Sequence, residues 1–424
     1  MKSADSSGEG TKSAGCPFYG WWIVLASSIL GAVSSGLTNS GFTVFFLPIR
    51  RELVISATAM SLVFSLARAQ SGIAAPFVGW LADKFGTRRL VLWGGILTGV
   101  GLILLSRGSS VWHLLLLYGV VVAVGRTASI SPTLMATVNQ WFVRRKALAM
   151  SILVTSFTIG GAALVPILAL ASAQIGWRNT VLCSGMFLIL LTFPVVLVLR
   201  NRPEELGLYP DGDEPMDQTQ PGQWQSDGAN QGFSVRQAMA TPAFWLLLIG
   251  LVLRVSAADV LVIHQIPMLV WKGVSEQTAA FYLSLSFTLM VPLRLVLGVS
   301  GGYMSPRLIL FAAMSVGALG TLSFLFGQGW AAIIPLVVGL AMIEGVSALN
   351  WIAVGDYFGR RSFASLVGIM TVFHSTGALI APVVSGWIFD QTQSYALVLL
   401  IVSPVLLVSG VAFALARRPS PPVI

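Results

Sequence analysis

Charge is what this chain lacks most. Only 10% of its 424 residues are Asp, Glu, Lys or Arg, where a soluble protein carries about a quarter. A water-facing surface cannot be assembled from that inventory, which excludes a soluble enzyme, a nucleic-acid binder and a disordered chain. Cysteine is nearly absent as well. Cys16 and Cys183 offer neither a disulfide framework nor metal-ligand spacing. Histidine is limited to His113, His264 and His374, and no His/Asp/Glu cluster suggests a metal centre. No nucleophile–base spacing and no phosphate-cradling P-loop stands out, so neither catalysis nor a cofactor is expected. Residues 1–15 are small and polar, without the apolar stretch of a signal peptide. The first apolar run is therefore expected to stay as a membrane helix.

What is abundant is apolar. Hydrophobic residues make up 55% of the chain, enough for a dozen spans of about 20 residues each. Apolar runs place six spans at 21–46, 59–82, 89–106, 111–138, 147–173 and 179–199, and six more at 243–270, 278–302, 307–327, 331–354, 363–388 and 394–416. Only helices fit, because a spanning backbone must satisfy its own hydrogen bonds. The expected fold is all-α and integral to the membrane. A short tail (1–19) precedes a six-helix bundle (20–200), a polar linker (201–241), a second six-helix bundle (242–416) and a short tail (417–424). The linker holds Glu204, Glu205, Asp211, Asp213, Glu214, Asp217 and Asp227 and reads as flexible.

The formal charge of +9 is mostly an address. With both termini cytoplasmic, inner loops and tails hold sixteen of the 25 Lys and Arg, and the outer loops hold Arg50, Arg51, Arg107, Arg178 and Lys272. Basic residues concentrate on the cytoplasmic side, so both ends are expected inside the cell, in an inner or plasma membrane. The bundles echo each other too. Phe142, Arg144, Arg145, Gly161, Ala162 and Pro166 recur 216 residues later as Phe358, Arg360, Arg361, Gly377, Ala378 and Pro382. Parallel repeats of this kind characterise transporters that rock two bundles around a central site.

Between the second and third runs comes Gly79-Trp80-Leu81-Ala82-Asp83-Lys84-Phe85-Gly86-Thr87-Arg88-Arg89. It sets a carboxylate at one helix end and guanidiniums at the next, so Asp83 can pair with Arg144 or Arg145 of the fourth-to-fifth loop when the inner side closes. This pattern resembles the loop signature of the major facilitator superfamily. A narrower likeness rests on Tyr19-Gly20-Trp21-Trp22 with Thr43-Val44-Phe45-Phe46, on Trp141-Phe142-Val143-Arg144-Arg145-Lys146, and on Ala280-Phe281-Tyr282-Leu283-Ser284 leading to Arg294 and Gly298. These stretches look like the monocarboxylate porter family and its bacterial relatives, including oxalate/formate antiporters. The resemblance implies transport of small organic acids, commonly with a proton, and a carboxylate-binding role for Arg294. Animal members carry an acid one turn before this Arg and a Lys late in the first helix. Here those places hold Met290 and Ser40, so the proton-handling pair of the family is incomplete.

Four arginines fall near the middle of spans: Arg68, Arg126, Arg254 and Arg294. Each costs about 2.5–3.5 kcal/mol at a helix centre, so such residues face a cavity or a partner. Only Asp259 and Glu344 are comparably deep, leaving a formal central excess of +2. A basic, dry cavity concentrates anions, and guanidinium matches carboxylate geometry. Arg294, Arg126 and Arg68 are the candidate substrate ligands, with Asn39 and Ser40 as added hydrogen-bonding groups. Arg126 and Glu344 are candidates for a gate between the bundles. Arg254 and Asp259 are five residues apart, about 140° around a helix wheel, and should seek different partners. Asp259 is the best-placed proton carrier, with His264 as a possible helper. The expected partners are a small organic anion, protons and lipid, and the expected unit is a monomer. Proton symport, anion antiport and multidrug export on the same fold all stay open at this point.

Overall fold

The computed structural model describes residues 18–142, 145–209, 211, 233–300, 304–359 and 363–419. The expectations for the N-terminal tail with Cys16, for Arg144, Arg360 and Arg361, and for most of the linker lie outside the described residues. Among the described residues the chain is helical and contains no strand. The first half comprises α1 (Tyr19–Leu53), α2 (Ala57–Phe85), α3 (Thr87–Leu105), α4 (Val111–Trp141), α5 (146–175) and α6 (177–198). The second comprises α7 (Pro242–Trp271), α8 (Glu276–Ser300), α9 (Pro306–Phe326), α10 (Gly329–Phe358), α11 (Phe363–Thr392) and α12 (Ala396–Leu415).

Among the described residues, ten segments are long and apolar enough to cross a membrane. One of them is the continuous run through α5 and α6, which turns at Gly176 (φ 79°, ψ 156°) and makes two spans. Only glycine takes that conformation readily. The 29-residue α2, which carries Arg68, Asp83 and Lys84, completes the twelve.

The two halves repeat one packing scheme. α1 lies along α5 as α7 lies along α11, and α3 packs on α6 as α9 packs on α12. The halves meet through α2 against α11 and α5 against α8, two contacts that the repeat exchanges. Glycines allow the closest approaches. A Cβ on Gly160 would run into the Ala32 backbone of α1, and one on Gly161 would sit 2.7 Å from Ser40 Oγ.

Three spans lose helical regularity at mid-length. α1 passes through a π turn at Gly36–Ser40 and a 3₁₀ turn at Gly41–Phe45. α4 has a π turn at Leu117–Val122 and breaks at Ile130 (φ −117°, ψ −93°). Pro132 follows and has no N–H for the Ala128 carbonyl, which instead accepts from Thr133 Oγ1 at 2.7 Å. α10 breaks at Val346 (φ −80°, ψ 3°), 216 residues after Ile130. That is the offset of the sequence repeat.

Parts of the connecting segment are structured. Pro203–Leu206 forms a 3₁₀ turn, and Val235–Met239 is a short helix capped by Ser234 and Gln237. Trp177 is buried and donates to Glu52.

Candidate functional site

A cavity of about 590 Å³ opens between the halves at mid-span. The six deep charges picked out by hydropathy all line it: Arg68 from α2, Arg126 from α4, Arg254 and Asp259 from α7, Arg294 from α8 and Glu344 from α10. Asn39 and Ser40 reach the same space from the π turn of α1. π turns inside α-helices often mark functional sites because they re-aim side chains.

The arginines have unequal surroundings. Arg68 forms an ion pair with Asp259, joining α2 of one half to α7 of the other. Arg126 Nη1 donates to Asn39 Oδ1 at 3.4 Å and Nη2 to the Ala67 carbonyl at 3.2 Å. Arg254 is only 5% exposed. Its Nη1 donates to the Ile343 carbonyl at 3.1 Å, and its Nε has no partner. Glu344 lies within electrostatic reach of Arg68 and Arg254. Of the two cavity acids, Asp259 pairs across the interface, with Arg68.

Arg294 is the least satisfied. Its Nη1 reaches Thr158 Oγ1 of the opposite half at 3.5 Å, and its Nη2 lies 3.6 Å from the Met290 sulfur. Its Nε is buried without a partner, and no carboxylate of the described residues pairs with it. Phe157, Phe287 and Met290 are among the apolar residues that line the same cavity. Formally, four guanidiniums and two carboxylates leave the cavity at +2. Its lining thus joins a formal positive excess to apolar side chains.

A family model described as the Major Facilitator Superfamily matches residues 28–354. The chain belongs to this superfamily. Among curated proteins it is 23% identical over 434 residues to Monocarboxylate transporter 12 of Rattus norvegicus, covering 96% of this chain and 87% of that one. It is 24% identical to Monocarboxylate transporter 2 of Homo sapiens over 394 residues, 89% of this chain and 82% of the relative. Among solved structures it superimposes on a bacterial homolog of the human lysosomal transporter Spinster, described as inward-facing and occupied. The TM-score is 0.75 at 17% identity, covering 95% of this chain and 97% of that chain. The same homolog, inward-facing and unoccupied, gives a TM-score of 0.70. The relatives are transporters, and this chain is a multi-pass transporter of the same superfamily.

Other residues singled out from sequence fall elsewhere in the transporter. His264 is not in the cavity. It is fully buried beyond it, with Nδ1 3.1 Å from Tyr395 Oη and Nε2 3.1 Å from both Ser61 Oγ and the Pro382 carbonyl. Of the loop motif, Gly79 and Asp83 fall on the last turns of α2, and Gly86 makes the turn into α3 at φ 82°. Arg88 N donates to Asn201 Oδ1 at 2.9 Å, and Arg88 Nε donates to the Val196 carbonyl at 2.9 Å. That guanidinium therefore meets the negative end of α6. Arg89 is exposed, and Arg145 N donates to Asp211 Oδ1 at 3.3 Å. Sequence reasoning missed Thr158, Phe157, Phe287 and His374 as cavity residues. The first two sit one helical turn before Gly160 and Gly161, the close-approach glycines, which was the available signal.

Proposed function

We propose that the transporter carries a small organic anion, a monocarboxylate, by alternating access and together with a proton. The observation that carries this reading is Arg294. It is a mid-membrane guanidinium at the cavity wall with no acid to neutralise it, whereas Arg68 is neutralised by Asp259. A cation inside the membrane without a counter-ion is costly, and an incoming carboxylate reduces that cost through paired hydrogen bonds. Phe157, Phe287 and Met290 would take the substrate's apolar end. The names of the curated relatives support the same substrate class.

Arg126 and Asn39 hold the opposite wall and are the second tier of substrate contacts, with Ser40 beside them. Asp259 is the coupling group. Its proton would free Arg68 and loosen a contact between the halves, so proton uptake and rearrangement become one event. Glu344 acts on the potential at both Arg68 and Arg254. The protein works as a monomer in the cell membrane, with both termini in the cytoplasm.

A second reading, anion exchange, is favoured by Met290, whose sulfur sits where the related animal carriers have an acid beside the Arg. Uptake of labelled lactate into proteoliposomes separates the two. Symport requires accumulation driven by an inward proton gradient, whereas counterflow at equal pH on both sides supports exchange. In either case Arg294→Ala should cut uptake by about 100-fold, the scale of deleting a buried charge partner. Full activity in that variant would reject the site.

A further inference from the structure

The end of the molecule opposite the linker carries a contact that the transport site does not use. Helix α2 begins at Ala57, with Ser56 as its N-cap residue, and the first-turn amides have no partners within the helix. Ser56 Oγ accepts from Ala59 N at 3.1 Å. The two amides before it are satisfied from the other half. Asp390, on the last turn of α11, accepts from Ala57 N and Thr58 N at 2.8 Å each, and from Thr58 Oγ1 at 2.6 Å. Arg50, at the end of α1, lies 3.7 Å from the same carboxylate and over the Phe389 ring at 5.0 Å. The approach is close because α11 offers Gly386, whose missing Cβ would stand 2.7 Å from the Ala57 carbonyl.

We propose that Asp390 is a conformational latch: it caps the N-terminus of α2 across the interface only while this end is closed. The reading rests on alternating access. Three features suit a latch rather than a permanent clamp. The carboxylate meets the positive end of a helix dipole, so the contact is attractive as well as directional. It spans helices of different halves, so it must break when the halves part. The groups it releases are two amides and a hydroxyl at a helix end, which water can satisfy, while Ser56 keeps the helix start capped. The contact thus adds to the stability of the closed arrangement without making opening prohibitive.

The test is a distance measurement by electron paramagnetic resonance in lipid nanodiscs, in a Cys16→Ser, Cys183→Ser background. Spin labels at Ser109→Cys and Gln328→Cys report the latch end, and labels at Glu204→Cys and Ser305→Cys report the linker end. Asp390→Ala, without substrate, should raise the ratio of separated to closed latch-end populations by about tenfold, the size of losing one helix cap. Asp390→Asn, which keeps a neutral acceptor, should fall between. If Asp390→Ala fails to fold, Asp390→Asn and Thr58→Val carry the same expectation at smaller size. An unchanged latch-end distribution in variants whose linker end still responds to saturating lactate would overturn the latch alone. Distances that respond to nothing at either end would overturn both the latch and alternating access.

Discussion

Arg68 and Arg294 lie 226 residues apart on α2 and α8, the same helix of each half, and both reach across to the opposite half. What separates them is the partner: Arg68 meets a carboxylate, and Arg294 meets a hydroxyl. On the proposed reading that difference divides the work, with one arginine in the coupling pair and the other open to substrate. Asp259 is largely buried, so removing either member of the pair leaves a buried group unmatched, at a cost of about 3–5 kcal/mol. Arg68→Gln and Asp259→Asn should each lower the thermal midpoint in detergent, and the double variant should lose less than the sum. Strict additivity would mean that the pair is not coupled. Asp259→Asn should also retain exchange but lose the response to a proton gradient, read by uptake at equal and unequal pH. The deep charges were legible in sequence because an ionised group inside an apolar run has few tolerable surroundings. Their pairing was not, because it depends on how two bundles dock. The helix wheel separated Arg254 from Asp259, and they do face different partners, but nothing local distinguishes Asp259 from Glu344 as the acid that Arg68 finds.

Among the elements, α4 and α10 are the spans we predict to bend. Their breaks at Ile130 and Val346 stand just beyond Arg126 and Glu344, so flexing there moves cavity charges. Amide hydrogen exchange should be faster at 130–134 and 346–350 than in the flanking turns of the same helices; uniform protection along both would contradict hinge behaviour. Gly160 is the opposite kind of site, where α5 rests directly on α1. Gly160→Leu should cost several kcal/mol by overpacking and show as lost monodisperse protein on size exclusion. Pro132, which cannot donate to the Ala128 carbonyl, accompanies the break in α4. Val346 has no proline beside it, and only the 216-residue repeat carries its position. The π turn that turns Asn39 into the cavity has no residue signature, since Gly36–Ser40 reads as ordinary helix by hydropathy.

For the whole molecule, the twelve spans and two halves follow from the apolar inventory and the internal repeat, both visible in the chain. The way the halves lean together is not written there. Among the described residues, polar contacts between them include Arg50 and Thr58 with Asp390, Arg51 with Glu276, Ser61 with His264, Arg68 with Asp259 and Arg294 with Thr158. The proposed topology, read from the basic loops, puts the linker end in the cytoplasm. A membrane-impermeant maleimide should therefore label Glu204→Cys and Ser305→Cys in inside-out vesicles and not in intact cells; the reverse pattern would invert the topology. Asp83, at the other end of α2 from the Asp390 contact, should have the opposite influence on the balance. Asp83→Asn should favour the arrangement closed away from the linker, read by the same spin-label pairs.

The central claim is that the excess positive charge of the cavity, focused at Arg294, selects an organic carboxylate. Solid-supported-membrane electrophysiology on reconstituted protein, with a panel of mono- and dicarboxylates and of lipophilic cations, tests it most directly. The account predicts charge movement with at least one small monocarboxylate, none with the cations, and loss of the signal in Arg294→Ala. A response to cations alone, or an unchanged carboxylate signal in Arg294→Ala, would contradict it.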